Sequence, residues 1–321
     1  MKNSLLARFA KNTFWLARYM ERADSLARLL EVTETHSRDE HGDQDWKLIL
    51  EVNGDLDHFR QEYGKVTAVD VVKFYTIDLN NATSLASSVA YARENARSLR
   101  HLISTEMWSQ INVMHSRFRD VKNKDIQPRR LAGFCSTIKE SCQAHTGITE
   151  ATLYRDQAYL FYWIGKMVER ADQASRLLDV GFRRALKLAH SDDNAGESLS
   201  HWTGLLRSVG GYQAYRRTHP IRLRAREVTG FVLTNKSFPR SVMYCLQEAH
   251  DDVSKLINEH GVETAHPALQ ELEVALSQLQ NADIQQLVNS DLHEFADTLQ
   301  QQLITFTQRL AEGCFGLDKQ D

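Results

Sequence analysis

Apolar residues recur along most of the chain at the three-to-four-residue spacing of an amphipathic helix. Together with proline, glycine and N-cap signals, this pattern predicts helices over residues 8–35, 44–62, 67–77, 83–103, 105–118, 129–146, 150–188, 197–208, 222–233, 239–259, 266–281 and 291–312. Thr67 is expected to cap one helix, and Pro239 is expected to open another. Since no segment alternates apolar and polar residues over the length of a strand, the pattern predicts no sheet.

The composition supports a helical fold. Four prolines and fifteen glycines interrupt 321 residues that are rich in Ala, Leu, Arg, Glu and Gln, and a hydrophobic content of 42% is enough to bury a core. We therefore expect an all-α globular protein.

Residues 13–32 and 161–180 form an internal repeat at an offset of 148 residues. Nine of the twenty aligned positions are identical, where about one is expected by chance. The charged positions are retained: Glu21, Arg22, Asp24 and Arg28 match Glu169, Arg170, Asp172 and Arg176, and Lys166 stands where the first copy has Arg18.

A second, weaker internal similarity aligns residues 74–92 with residues 231–249, at an offset of 157 residues. Because the two repeated elements occur in the same order, we interpret the chain as two related helical halves, residues 1–125 and 126–321, packed as one pseudo-two-fold helical bundle. The boundary is placed in the polar run RDVKNKDIQPRR, whose Pro128 suits the first turn of a helix.

On a helical wheel the repeated helix has a broad apolar arc, and Glu21, Asp24 and Arg28 lie together on the opposite side. An ordinary solvated face would explain such charges in a single helix. Because both copies keep them, we favour a desolvated network of Glu, Arg and Asp where the repeat helices meet other helices. The network either fixes helix register or forms a pocket for carboxylate or phosphate, which guanidinium groups bind bidentately.

Several motifs together resemble the bacterial alpha-E family of helical proteins: the doubled ERAD, the flanking RLLEV and RLLDV, AYARENARSL followed by STEMW, and SFPRSVMYC. The resemblance covers nearly the whole chain and implies an all-α fold. Members of this family commonly lie beside circularly permuted ATP-grasp ligases and transglutaminase-like proteins, and are sometimes fused to them. The resemblance therefore implies a role in an ATP-dependent amide-forming or peptide-modifying pathway, with these proteins as partners.

The family motifs fall on particular residues of this sequence. By the resemblance, the Glu-Arg motif lies at Glu21 and Arg22 and again at Glu169 and Arg170, a basic helix motif lies at Arg93, Glu94, Asn95 and Arg97, and a Pro-Arg-Ser motif lies at Pro239, Arg240 and Ser241. The first half has Ala82, Thr83 and Ser84 in place of the last motif, so a site that uses Arg240 is asymmetric. We expect Glu21 or Glu169 to contact an arginine from another segment, with Arg93, Arg97 and Arg240 as leading candidates.

The most basic stretch of the chain is RRTHPIRLRARE, residues 216–227. It is either a solvated turn and helix face or a docking patch for an acidic partner, formed by Arg216, Arg217, Arg222, Arg224 and Arg226.

Other features narrow the classes of function. A formal net charge of −3 gives no global attraction to nucleic acid, and no signal peptide or long apolar segment is evident, so we expect a cytoplasmic protein that binds neither nucleic acid nor membrane. The four cysteines form no CxxC pair and are expected to be reduced. No phosphate loop, dinucleotide fingerprint, hydrolase elbow or HExxH motif occurs, so we expect no cofactor and no metal. The C-terminal helices leave a homodimer open.

Two functions of different classes remain. In the first, the chain is a non-catalytic partner that docks on a ligase or presents its peptide substrate. In the second, the chain is itself an enzyme of peptide or amide chemistry, with Glu21 and Glu169 as acid or base and the arginines binding substrate oxyanions. The lack of a nucleophile motif favours the first, and the repeated ionisable cluster favours the second.

Overall fold

The computed structural model describes residues 5–37, 42–189, 195–219 and 223–316. Within these ranges every regular element is a helix, which confirms the all-α prediction. Arg222 of the basic stretch lies outside the described residues. None of the helices in the described ranges has both the length and the apolar character needed to cross a membrane.

The helices are numbered in chain order. They are α1 (Ala7–His36), α2 (Gly42–Asn53), α3 (Leu56–Tyr63), α4 (Ala68–Thr76), α5 (Leu85–Ser98), α6 (Thr105–Asp120), α7 (Pro128–Thr152), α8 (Gln157–Ala189), α9 (Ala195–Ser208), α10 (Tyr212–Thr218), α11 (Ala225–Thr234), α12 (Val242–Asn258), α13 (His266–Gln280), the one-turn α14 (Ile284–Gln286) and α15 (Leu292–Cys314). A 3₁₀ turn at Glu263–Ala265 precedes α13, and a π-helical segment at Leu287–Asp291 leads into α15.

Side-chain caps set the start of several helices. The Thr67 hydroxyl accepts a hydrogen bond from the backbone N–H of Asp70 at 3.2 Å, as its sequence position predicts. The prediction that Pro239 opens a helix was three residues early, because α12 begins at Val242. The Ser241 hydroxyl accepts from the backbone N–H of Tyr244 at 3.1 Å and caps α12.

Other elements also differ from the prediction. The helix expected over residues 44–62 is divided into α2 and α3, because Gly54 adopts a left-handed backbone with φ of 72° that ends α2. The break expected after residue 146 lies instead between Thr152 and Gln157. The helix α10 was not predicted, since seven residues are too few to show a clear helical period.

The two repeat helices lie at the centre of the molecule. α1 packs on α5, α7 and α8, and α8 packs on α1, α12 and α15. Each is thus covered on more than one side, so the charged side of the wheel meets other helices rather than water. The predicted boundary near residue 125 falls between α6 and α7, and α7 packs on α1, α4 and α6.

Some local features of the structure occur twice along the chain. Gly54 and Gly210, with φ of 72° and 68°, stand between α2 and α3 and between α9 and α10. Ser84 and Ser241 cap α5 and α12, the helices that pack on α1 and α8 respectively. The second sequence similarity therefore aligns two helix starts that are each capped by a serine side chain.

Candidate functional site

Small residues allow α1 and α8 to approach closely. At Gly165 an added Cβ would lie 2.4 Å from the carbonyl oxygen of Phe14, so any larger residue would push the helices apart. Ala17, which is fully buried, occupies the matching position of the first repeat. This approach brings the Glu-Arg motif of α1 against that of α8.

Each motif glutamate is held by the arginine of the other motif. Glu21 accepts hydrogen bonds from Arg170 Nε at 2.8 Å and Nη2 at 3.0 Å. Glu169 accepts from Arg22 Nε at 2.7 Å and Nη2 at 3.1 Å. Both pairs are bidentate, and the two glutamates are only 3% and 0% exposed. These two carboxylates therefore do not belong to a solvated helix face.

We call the first cluster the Glu21 centre; it consists of Glu21, Asp24, Arg28, Lys166, Arg170 and Arg240. Arg240 donates from Nη1 to Glu21 at 3.0 Å and from Nη2 to Asp24, so it bridges the two carboxylates. Asp24 also accepts from Arg28 at 2.9 and 3.2 Å. The ammonium of Lys166 lies 3.8 Å from Glu21 and donates to the Thr146 hydroxyl at 2.6 Å. Both carboxylates of the centre are thereby engaged with arginine.

We call the second cluster the Glu169 centre; it consists of Arg18, Arg22, Glu169, Asp172 and Arg176. Arg18 Nε donates to Glu169 at 2.7 Å, and Arg176 Nε donates to Asp172 at 2.9 Å. The Arg18 guanidinium lies 5.0 Å from the ring centre of Trp15, and that of Arg22 lies 5.5 Å from Tyr19. Aromatic rings therefore lie against both arginines that hold Glu169.

The electrostatics of the two glutamates oppose a role as proton donors at neutral pH. Burial alone would raise the pKa of Glu21, but Arg170, Arg240 and Lys166 outweigh it and hold this pKa well below its usual range. Burial likewise opposes the effect of Arg22 and Arg18 at Glu169, whose pKa is lowered to about 2. Both side chains are therefore carboxylates that already accept charged hydrogen bonds.

The pKa of Lys166 is lowered, whereas the pKa of a lysine in an ion pair is usually raised. Burial lowers its pKa to about 8, and the repulsion of Arg170 and Arg240 adds to this effect, while Glu21 raises the pKa only in part. The side chain is 5% exposed. Lys166 is thus a buried cation whose charge is incompletely balanced.

A cavity of about 180 Å³ adjoins the Glu21 centre. α1, α7, α8 and the segment before α12 contribute its walls. The lining residues are Ala17, Met20, Glu21, Asp24, Cys142, Gln143, Thr146, Tyr162, Lys166, Arg170 and Arg240. Gln143 is exposed and Thr146 half-buried, so the cavity opens towards solvent along α7.

The basic helix motif on α5 lies outside both centres. Arg93 donates to Asn112 at 2.8 Å and to Glu94 at 3.1 Å, and Arg97 pairs with Glu94 at 2.8 Å. Asn95 donates to the backbone carbonyl of Tyr91. Of the three arginines expected near the glutamates, Arg240 contacts Glu21, whereas Arg93 and Arg97 make these contacts on α5 and α6 instead.

The remaining predicted site residues, Ser241 and the arginines of the basic stretch, belong to neither centre. Ser241 is the cap of α12, and its hydroxyl also donates to the Asn235 carbonyl. Four arginines of the basic stretch are exposed in or near α10 and α11: Arg216, Arg217, Arg224 and Arg226.

Sequence reasoning missed the arginines of the opposite repeat as partners of the glutamates, and it missed the cavity wall from α7. The first omission had a signal, because Gly165 in the middle of a predicted helix indicates close approach of another backbone. The second had none, since Gln143 and Thr146 belong to no motif.

The geometry agrees with the family to which the chain belongs. Residues 5–315 match Alpha-E, described as a predicted alpha-helical domain with a conserved ER motif, and the chain is a member of this family. The Glu-Arg pairs at residues 21–22 and 169–170 carry this motif twice.

Curated relatives of the chain include mycobacterial proteins that are named as uncharacterized. One from Mycobacterium bovis is 24% identical, and the alignment covers 91% of this chain and 35% of the relative. One from Mycobacterium tuberculosis strain H37Rv is 23% identical with the same coverage. The chain thus spans about a third of the length of these relatives. No solved structure matches the chain.

Proposed function

We propose that the chain is a non-catalytic helical accessory protein that acts with an ATP-grasp-type amide or peptide ligase. One observation carries the non-catalytic part: both motif glutamates are saturated by arginines, so their oxygens hold the repeat helices together. A general acid needs a pKa near the working pH, whereas these pKa values are lowered.

The alternative, an enzyme of peptide or amide chemistry, would need other groups. Burial raises the pKa of the thiols of Cys135, Cys142, Cys245 and Cys314, which makes them poor nucleophiles at neutral pH. Lys166 beside the cavity is the group that favours this alternative, because its pKa of about 8 leaves part of the amine unprotonated near neutral pH.

We further infer that the two sets of helices are related by a pseudo-two-fold axis near the contact of α1 and α8. The support is the exchange of partners: Arg22 holds Glu169 just as Arg170 holds Glu21. Because α7 packs on helices of the first set, we place the division at residues 153–156, rather than near residue 125.

The partner proposal rests on the family and on the surface charge. The family resemblance implies a ligase neighbour and a transglutaminase-like protein in the cytoplasm, and in the longer relatives the matched region is one part of a larger protein. The exposed Arg216, Arg217, Arg224 and Arg226 offer a docking patch for an acidic surface. Exposed charges are screened within about 10 Å at 0.1 M salt, so the complex should weaken as salt rises.

Co-purification with an ATP-grasp-type ligase from the same organism tests the proposal. The tagged chain should retain the ligase at low salt, and ATP-dependent amide formation should require the ligase. Isothermal titration calorimetry of the isolated chain with ATP should show no specific binding.

Two charge-reversal variants sharpen the test. Arg224→Glu with Arg226→Glu should weaken ligase capture without unfolding the chain. Arg117→Glu with Arg119→Glu, which makes the same charge change at exposed positions of α6, should not. Tight ATP binding by the chain, or amide formation without ligase, would overturn the proposal in favour of the enzyme.

A further inference from the structure

The cavity at the Glu21 centre has walls of two kinds. Ala17, Met20 and the ring of Tyr162 provide apolar surface, whereas Lys166 and Arg240 provide cationic donors. Ligand pockets commonly combine a mostly apolar wall with a few fixed polar groups. A cavity of about 180 Å³ is large enough for a small molecule or the end of a peptide chain, but too small for a nucleotide.

The protein's own carboxylates do not use up the donors at this cavity. Glu21 accepts from Arg170 through both oxygens and from Arg240 as well, and Asp24 accepts from Arg28 and Arg240. Their acceptor positions are largely occupied, and neither comes closer than 3.8 Å to the Lys166 ammonium in any ion pair of the described residues. The ammonium has three N–H donors, one of which donates a hydrogen bond to the Thr146 hydroxyl.

The charge balance points to an anion. Among the described residues that line the cavity, Lys166, Arg170 and Arg240 face two carboxylates, Glu21 and Asp24, which leaves a positive surplus. Arg28, which pairs with Asp24, increases the surplus. Unbalanced buried charge is costly, and a bound anion relieves that cost.

We infer that this cavity binds a carboxylate carried on a short apolar group, with Lys166 and Arg240 as its anchoring cations. This goes beyond the proposed function and stands on the cavity alone. Arg240 has five N–H donors, of which Glu21 and Asp24 accept two, so donors remain for a bound carboxylate. The short apolar group suits Met20 and Tyr162. A phosphate would meet the same cations but would gain nothing from the apolar wall.

A carboxylate of this kind has two sources, a free short-chain acid or the C-terminus of a peptide. The opening along α7, past the exposed Gln143, leaves a path for a chain whose end lies in the cavity. The two sources share one chemistry, and two probes separate them: 3-methylbutanoate, and N-acetyl-Ala-Leu with a free C-terminus.

The first experiment measures both probes and their neutral amides by calorimetry and saturation-transfer NMR on the full chain. At least one acid should bind, and its amide should bind at least tenfold more weakly. Binding of only 3-methylbutanoate assigns a free acid, and binding of only the peptide assigns a C-terminus. Equal binding of acid and amide, no binding of either acid, or tighter binding of inorganic phosphate would overturn the inference.

Variants then test the assigned cation. Lys166→Met should weaken binding of the acid at least tenfold, whereas Lys73→Met, the same change at an exposed lysine of α4, should leave it unchanged. Circular dichroism checks that both variants fold. If Lys166→Met does not fold, the comparison of acid with amide on the unchanged protein still decides. Full binding by a folded Lys166→Met variant would overturn the role of Lys166.

The pH dependence gives a second readout. Because the pKa of Lys166 is lowered to about 8, affinity for the acid should fall as pH rises through this value and the ammonium loses its proton. Lys166→Arg, which stays charged, should remove this fall. An unchanged fall in that variant would contradict the assignment. The groups that influence Lys166 or are influenced by it are Glu21 and Asp24 on α1, Cys142, His145 and Glu150 on α7, Arg170 on α8, and Arg240 before α12.

Discussion

The two motif centres share their sequence pattern but differ in surroundings. At the Glu169 centre, Arg18 contacts the carboxylate directly at 2.7 Å. Arg18 and Lys166 each lie 5.0 Å from the ring centre of a repeat tryptophan, Trp15 and Trp163 respectively, so the ring contact is shared. At the Glu21 centre, Lys166 occupies the matching repeat position but lies 3.8 Å from the carboxylate. Arg240 joins from outside the repeat helices, and the cavity opens beside it.

The difference separates what the repeat does from what one copy adds. The bidentate pairs common to both centres hold α1 against α8, which is a structural task. Arg240 has no counterpart: Thr83 stands at the matching position of the first half, and its hydroxyl lies 2.9 Å from Asp55 and 2.6 Å from Asn81. The additions at Glu21 supply cations that the helix contact does not require, so a binding role belongs to that centre.

The largest expected effect comes from removing the bidentate arginine that each centre contains. Arg170→Ala and Arg22→Ala each remove the bidentate partner of a buried carboxylate, and each should lower the free energy of unfolding by about 3–5 kcal/mol. Urea unfolding followed by circular dichroism measures the loss. Arg130→Ala serves as control, because its pair with Asp125 at 3.6 Å is exposed and should contribute about 1 kcal/mol or less. Midpoints equal to that of the control would show that the motif pairs are not desolvated.

The next largest effect is a loss of stability at low pH. The folded-state pKa of Glu169 is about 2, below its ordinary value of 4.5, so its contribution to stability is complete above pH 4.5 and is lost as pH falls towards 2. At roughly 1.4 kcal/mol per pKa unit, the loss is on the order of 3 kcal/mol. Glu21, whose pKa is also lowered, loses its contribution in the same direction.

Glu169→Gln provides the comparison for this acid effect. The variant should be less stable than the parent at pH 7, and the difference should shrink as pH falls from 4.5 towards 2, because the parent's carboxylate becomes protonated. Denaturant midpoints measured at several pH values follow the difference. A gap that stays constant over this range would contradict a lowered pKa in the folded state.

The fold was accessible from sequence because helical periodicity is local. Thr67 was placed correctly as a cap for the same reason, since a cap depends on residues within one turn. The division of the helix at Gly54 was missed because a glycine inside a periodic pattern is compatible with continuation as well as with an end.

The candidate site was only partly accessible. The doubled charges predicted that Glu21 and Glu169 are held by partners, but the partners depend on how α1 crosses α8. Glu21 and Arg170 are 149 positions apart. Gly165 indicates that another backbone approaches closely but not which one, so Arg170 was not matched to Glu21. Arg93, Arg97 and Arg240 were expected instead. The cavity depends additionally on α7, whose side chains at Gln143 and Thr146 follow no motif.

A smaller effect separates the two centres directly. Arg240→Ala leaves Glu21 with Arg170 and Asp24 with Arg28, so it should cost about 2 kcal/mol, the value of hydrogen bonds to charged groups. It should also raise the pKa of Lys166, because the repulsion of Arg240 lowers that pKa. Urea unfolding and an NMR titration of labelled lysine measure the two effects. Thr83→Ala is the matched control in the first half and should leave the Lys166 pKa unchanged.

The smallest expected effect tests whether all the family motifs share one role. Arg97→Ala on α5 removes an exposed pair with Glu94, 67% and 50% exposed, and should change the free energy of unfolding by less than about 1 kcal/mol. A loss as large as that of Arg22→Ala would mean that the α5 motif supports the fold as the Glu-Arg motif does. Unchanged stability combined with weaker capture of the ligase would instead extend the docking surface to α5. The motif would then act on a partner, in contrast with the buried centres that hold the repeat helices together.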